Sequence, residues 1–118
     1  MGVKIEKREF YTLVSVVQES LDANIATDLK SEFILRSKEG ERNFLLDMAK
    51  CNSCDESGLT ALTTGYRLSN EMNGAFVISG VNPQVEKIVE LAQIHYFMTI
   101  TKTREDAEKV IEKLVRMN

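Results

Sequence analysis

The sequence contains little of the residue types that mark unusual protein classes. Its 118 residues include one proline, six glycines, two cysteines, one histidine and no tryptophan. With 43% hydrophobic and 28% charged residues, this composition fits neither a disordered nor a fibrous chain. Long apolar runs are also missing, because the stretches around residues 44–46 and 75–78 are far shorter than the ~20 residues that cross a bilayer. An ordinary globular chain without a membrane segment is expected.

The sequence also lacks a strong positive charge. The formal net charge is −3 and the isoelectric point is about 5.2, so no long-range attraction for a nucleic-acid backbone is expected. The N-terminus, Met1-Gly2-Val3-Lys4, lacks the apolar core of a signal peptide, which favours the cytoplasm, where thiols stay reduced. Since no linker or repeat interrupts the sequence, residues 1–118 are expected to form one domain with one core.

The first third of the chain predicts a β-hairpin and a helix. Residues 11–17 are rich in β-branched side chains, which is typical of a strand, and they are expected to pair with residues 3–7. Residues 24–35 place an apolar side chain at every fourth position, which predicts an amphipathic helix that stops near Gly40.

The middle of the chain predicts two buried strands joined by a helix. Residues 44–49 and 75–79 are short apolar runs of the kind found in strands covered on both faces. Residues 51–56 are expected to form the loop after the first of these strands, and Ser57 is expected to open the helix that ends at Gly74.

The last third predicts helix, strand and helix. Asn82 and Pro83 are a favourable cap and first residue for a helix, residues 97–100 are a strand candidate, and Thr103 resembles the start of a capping box. The expected order is β-β-α-β-α-β-α-β-α. Strands alternating with helices predict an α/β fold with a mixed, mostly parallel sheet and about four helices.

The junction Asp55-Glu56-Ser57-Gly58 is the first place to look for function, because it follows the carboxyl end of a predicted central strand. A helix N-terminus has unpaired N–H groups, so Asp55 or Ser57 is explained equally well as a simple cap. In the functional interpretation, Ser57 accepts a phosphate. A phosphate adds about −1.5 to −2 charges, which is enough to disrupt a closely packed interface.

The chain resembles the STAS family, specifically the free-standing bacterial anti-sigma factor antagonists. The resemblance lies in three segments: Ser20-Leu21-Asp22-Ala23, Asp55-Glu56-Ser57-Gly58-Leu59, and residues 74–88, which run from Gly74-Ala75-Phe76-Val77 through Asn82-Pro83. Together they span nearly the whole chain in the expected order. The resemblance implies a STAS-like fold and a partner-switching protein that is not an enzyme and needs no cofactor or metal.

The resemblance also implies partners and site residues. The unphosphorylated antagonist would bind an anti-sigma factor that is itself a serine kinase, and so would release a sigma factor for transcription. The kinase would phosphorylate Ser57 and a serine phosphatase would reverse the step. Asp22, Asp55, Glu56, Ser57 and Gly58 would form the partner-binding surface.

Two positions depart from the family pattern. Glu56 stands where a small or hydroxyl residue is usual, and it places a permanent negative charge beside Ser57. Two consequences stay open: weaker recognition by the kinase, or a paralogue whose switch is altered or lost. Gln93-Ile94-His95 replaces an expected glycine-containing turn, which predicts a differently shaped loop.

Three other interpretations stay open. A STAS domain can serve as a scaffold or sensor in a signalling assembly, with weak self-association and no working phosphoswitch. Cys51-Asn52-Ser53-Cys54 is a Cys-x-x-Cys before a helix, a context that can lower a thiol pKa and favour redox chemistry. A zinc site is the weakest candidate, because the two cysteines and His95 supply only three ligands where zinc takes four.

Overall fold

The structure is a computed structural model that describes residues 2–117. Strands β1 to β7 comprise Val3–Lys7, Thr12–Val16, Ser20–Leu21, Phe44–Asp47, Ser53–Cys54, Phe76–Ser79 and Thr99–Thr101. Helices α1 to α4 comprise Ala23–Lys38, Glu56–Glu71, Pro83–Leu91 and Arg104–Met117, and a 3₁₀ helix covers Ile94–Tyr96. None of the helices in this part of the chain is both long and apolar enough to span a membrane.

Five strands form the main sheet in the order β1-β2-β4-β6-β7. The β1–β2 hairpin is antiparallel, and every other neighbouring pair in this sheet is parallel. The predicted α/β class, four helices and mostly parallel sheet are confirmed. The alternation of strands and helices is also as predicted. In a parallel sheet each crossover helix must return the chain to the end at which the previous strand began.

Side chains on the two faces of the sheet build two cores. On one face, Val14, Leu46 and Ile78 occupy one register row and pack beneath the first three helices. On the other face, Leu13, Leu45 and Val77 occupy the preceding row beneath α4, whose buried residues are Ala107 and Ile111. Each strand is therefore covered on both sides where the sequence has an unbroken apolar run.

Aromatic packing brings α1 and α2 together above the larger core. The Phe33 ring meets Phe44 and Phe76 in edge-on geometry, with centroid distances of 5.3 and 5.7 Å. A Cβ at Gly65 would lie 2.6 Å from the Phe33 ring. Only glycine therefore lets α2 approach α1 this closely.

Three sequence predictions about local structure need correction. Residues 51–56 are not a simple loop, because Ser53–Cys54 form β5, and the helix starts at Glu56, not Ser57. The last strand starts at Thr99, not at residue 97, because the 3₁₀ turn occupies the preceding residues. The turn after α3 has a glycine-like backbone despite its composition, with Gln93 in the left-handed region at φ 61°.

Candidate functional site

A second, two-stranded sheet positions the candidate site. Strands β3 and β5 run parallel, with Ser20 opposite Ser53 and Leu21 opposite Cys54. The Asp55 N–H donates to the Leu21 carbonyl at 3.3 Å and extends this pairing by one residue. Each strand leads directly into a helix, so the N-termini of α1 and α2 begin side by side.

The two predicted aspartates are the caps of these helices. Asp22 Oδ1 accepts hydrogen bonds from the N–H groups of Asn24 and Ile25 at 3.0 and 3.1 Å. Asp55 Oδ1 accepts from the Gly58 N–H at 2.9 Å. Capping of this kind contributes about 1 kcal/mol, so both aspartates have a structural role. Both residues are also exposed, which leaves their outer oxygens accessible to a partner.

Ser57 lies in the first turn of α2, directly after the exposed Glu56. Ser57 is half-buried, and the described hydrogen bonds of this turn involve the Gly58 N–H and the Thr60 hydroxyl, not the Ser57 hydroxyl. The positive end of the helix dipole favours the negative charge of Glu56 at this position and would favour a phosphate in the same way. The arrangement places a half-buried hydroxyl group directly after the exposed Glu56 and two residues after the capping Asp55.

Gly58 differs from the other predicted site residues because it is buried. A Cβ at this position would lie 2.6 Å from Cys54 Sγ and 2.7 Å from the Leu21 carbonyl oxygen. The missing side chain therefore lets the first turn of α2 press against β3 and β5. Gly58 contributes to the site by fixing where Ser57 is presented.

Sequence reasoning missed two polar contacts that belong to this surface. The hydroxyls of Ser20 and Ser53 share a hydrogen bond of 2.9 Å, and both side chains are exposed. The Asn82 amide, whose oxygen caps α3, donates to the Asn52 side chain at 3.3 Å and so joins a third helix N-terminus to the site.

A repeated pattern in the sequence contains the signal for the first of these contacts. Ser20-Leu21-Asp22 and Ser53-Cys54-Asp55 both have serine, an apolar residue and a capping aspartate before a helix. Nothing in the sequence indicates the asparagine contact.

The environment of the two cysteines opposes the redox interpretation. Cys51 and Cys54 are free thiols, both buried. Burial raises the pKa of Cys51, and burial, together with the nearby Cys51 and Asp55, raises the pKa of Cys54 to about 12. The thiolate is the reactive form, so a raised pKa is the opposite of what a redox-active pair requires.

The zinc interpretation also lacks geometric support. Among residues 2–117, no three His, Cys, Asp or Glu side chains are grouped so that they could hold a metal ion. His95 is an exposed residue of the 3₁₀ helix, and its ring is 4.1 Å from that of Tyr96.

Comparison with known proteins gives a consistent result. The STAS domain family model matches residues 4–107. BtrV of Bordetella bronchiseptica, an inferred anti-sigma factor antagonist, is 21% identical over 95 residues, which cover 80% of this chain and 82% of that protein.

Two solved structures illustrate the similarity of fold. An anti-sigma factor antagonist from Mycobacterium paratuberculosis matches with a TM-score of 0.82 and 17% identity, covering 93% of this chain and 92% of that one. A chain from the stressosome, a signal integration and transduction hub, matches with a TM-score of 0.74 and 18% identity, covering 97% and 100%. At such identities these structures show a shared fold.

Proposed function

The chain belongs to the STAS domain family, and from that membership we propose that it is an anti-sigma factor antagonist switched by phosphorylation of Ser57. Its partner is an anti-sigma factor that is also a serine kinase, and a serine phosphatase restores the binding form. The protein has no catalytic role of its own. It acts in the cytoplasm, where it regulates transcription by releasing a sigma factor.

One observation carries this proposal: Ser57 lies on the first turn of α2, directly after the exposed Asp55 and Glu56. Asp22 caps the neighbouring helix at the same end of the sheet, so the partner-binding surface includes both helix N-termini. A phosphate on Ser57 adds about −1.5 to −2 charges to a surface that is already acidic. The like charges and the bulk of the phosphate would separate a partner that packs closely against this turn.

The test compares three forms of the protein in the presence of the cognate kinase. Wild-type protein and Ser57→Ala should form the complex, whereas Ser57→Asp should bind at least tenfold more weakly. With ATP, phosphate should appear on Ser57 of the wild type, as read by mass spectrometry, and be absent from Ser57→Ala. Thr60→Ala is a matched control, because Thr60 lies on the exposed side of the next turn. If Ser57→Asp binds as well as the wild type and Ser57 stays unmodified, the phosphoswitch is wrong.

Glu56 decides how well the switch works. An acidic side chain directly before the acceptor hydroxyl repels the γ-phosphate of ATP as the kinase delivers it. Glu56→Ser should therefore raise the rate of phosphorylation of Ser57, while Glu56→Gln separates the effect of charge from that of size. Equal rates for all three forms would show that Glu56 has no part in kinase recognition.

A second candidate is a scaffold or sensor in a signalling assembly, favoured by the similarity to the stressosome chain. This function requires self-association, which the switch does not. Light scattering coupled to gel filtration distinguishes the two: concentration-dependent assembly together with an inert Ser57 would favour the scaffold.

A further inference from the structure

A pocket lies on the side of the main sheet that α4 only partly covers. It encloses about 200 Å³ between the β1–β2 hairpin, the segment after β4, and the first residue of α4. The register places Ser15 and Asp47 in one row on the same face as Leu13 and Leu45, which pack beneath α4. The pocket therefore opens on the face opposite to α1 and α2, and it is separate from the surface around Ser57.

Three cationic side chains from three separate segments line this pocket. Lys4 comes from β1, Lys50 follows β4, and Arg104 begins α4. Two carboxylates, Glu6 and Asp47, also line the pocket, so its net charge is +1, in a chain whose net charge is −3. The pocket is thus a local positive site on an acidic protein.

The carboxylates are partly engaged elsewhere. Asp47 Oδ1 accepts the Ala49 N–H at 2.9 Å, and Glu6 also forms an ion pair of 3.4 Å with Arg8, outside the pocket. Glu6 is therefore shared between Lys4 and Arg8, whereas Asp47 keeps its charge beside Arg104.

The cations are weakly paired. The Arg104–Asp47 and Arg104–Glu108 contacts are both 3.6 Å and the Lys4–Glu6 contact is 3.9 Å, whereas charge-assisted hydrogen bonds measure about 2.7–2.9 Å. Lys50 takes part in none of the ion pairs formed within residues 2–117. Good hydrogen-bond donors therefore remain available for an acceptor placed in the pocket.

An unpaired hydroxyl group lies in the neighbouring register position. Ser79 is opposite Asp47 in the sheet, is fully buried, and its Oγ has no hydrogen-bond partner among the described residues. Arg104, the first residue of α4, reaches Asp47 in this row, and the positive end of the α4 dipole lies at the same end of the helix. Unsatisfied polar groups are uncommon in folded proteins, so the unpaired Ser79 hydroxyl beside Asp47 is informative.

We propose that this pocket binds inorganic phosphate or the phosphate group of a small molecule. The Arg104 guanidinium and the Lys50 ammonium hold the phosphate, and Lys4 lies at the rim. Arginine and lysine are the usual ligands of phosphate, and arginine offers two parallel donors. The volume is below the ~300–1,000 Å³ of sites for drug-sized ligands, which suits inorganic phosphate or a small phosphomonoester. The site does not depend on the proposed role of Ser57.

Isothermal titration with inorganic phosphate, at constant ionic strength set by chloride, tests the proposal. The full chain should bind one phosphate saturably, and Arg104→Gln and Lys50→Gln should each weaken binding at least tenfold. Arg67→Gln is the matched control: Arg67 is an exposed arginine on α2, paired with Glu71 at 3.1 Å, and its loss should leave the affinity unchanged. Lys50→Gln keeps the test valid if Arg104→Gln does not fold, because Lys50 is exposed and unpaired within the described residues.

Titration with glycerol phosphate in place of inorganic phosphate distinguishes a small phosphomonoester from free phosphate as the ligand. Saturable binding of either compound that is at least tenfold weaker in the Lys50 variant supports the site. A response that is absent, or that is shared equally by the wild type and all variants, would overturn it.

Discussion

Gly58 lies against the carbonyl oxygen of Leu21, so closely that a Cβ on Gly58 would sit 2.7 Å from that oxygen. The contact joins the first turn of α2 to the strand that leads into α1. Because the caps of both helices flank this contact, it sets the relative position of Asp22 and Asp55. The spacing of the candidate surface therefore depends on a residue that contributes no side chain to it.

Gly58→Ala should consequently destabilise the protein by about 1–3 kcal/mol, the usual effect of forcing a methyl group into a filled core. Urea unfolding measures this change directly. Ser57→Ala is the control, because it adds no atom at the neighbouring half-buried position and should shift stability by no more than about 0.5 kcal/mol. Wild-type stability in Gly58→Ala would mean that the helix start moves freely, against the close packing described above.

The Ser20–Ser53 hydroxyl pair should stabilise the two-stranded sheet. Removing one hydroxyl leaves the other exposed to water, so Ser20→Ala and Ser53→Ala should each cost only about 0.5–1 kcal/mol. The double variant should cost less than the sum of the two, because the shared hydrogen bond can be lost only once. A double-mutant cycle by urea unfolding gives this coupling, and strict additivity would show that the hydroxyls act independently.

The main sheet could be predicted from the sequence because its signals are local and strong. The apolar runs that contain Leu45 and Val77 occur where strands are buried on both faces, and the Asn82 cap with Pro83 marks the start of α3. Such patterns arise from neighbours along the chain. They can therefore be recognised without knowledge of the tertiary structure.

The small sheet and the start of the last strand could not be predicted, for a different reason. Strands β3 and β5 have two residues each, too few to show a period of two, and they exist because the segments around Leu21 and Cys54 are brought together by the larger fold. In the same way, the exposed Phe97 resembles a strand residue by composition, yet it follows a 3₁₀ turn. The candidate site depends on these short elements, so its residues could be identified from sequence more readily than its geometry.

Replacing Gln93 by glycine should stabilise the protein. Gln93 has φ 61°, a left-handed conformation that costs a residue with a side chain about 1–2 kcal/mol and costs glycine almost nothing. Since glycine also loses more backbone entropy on folding, the expected net gain is about 0.5–1 kcal/mol. The measurement is the midpoint of thermal unfolding.

Gln84→Gly is the matched control for that substitution. Gln84 is an exposed residue within α3, where glycine should destabilise by about 0.5–1 kcal/mol. The same chemical change should thus have opposite signs at two positions nine residues apart. A loss of stability at both positions would indicate that the turn after α3 is not strained.

The raised pKa of Cys54 predicts a specific loss of stability in alkali. Its thiol titrates near 9.0 when ordinary and at about 12 in the folded protein, so between these values the unfolded chain binds fewer protons than the folded one. The neutral thiol therefore contributes its full stabilisation of the folded state below pH 9. This contribution declines as pH rises towards 12, by up to about 1.4 kcal/mol per pH unit.

Urea unfolding from pH 8 to 11 should show this decline in the wild type and a shallower one in Cys54→Ala, which lacks the titrating group. The difference between the slopes isolates Cys54 from other groups that titrate in alkali, such as Tyr11, whose pKa is raised mainly by burial and also by Glu108. Equal slopes would mean that Cys54 ionises as readily in the folded protein as in the unfolded chain, and would reopen the redox interpretation of the cysteine pair.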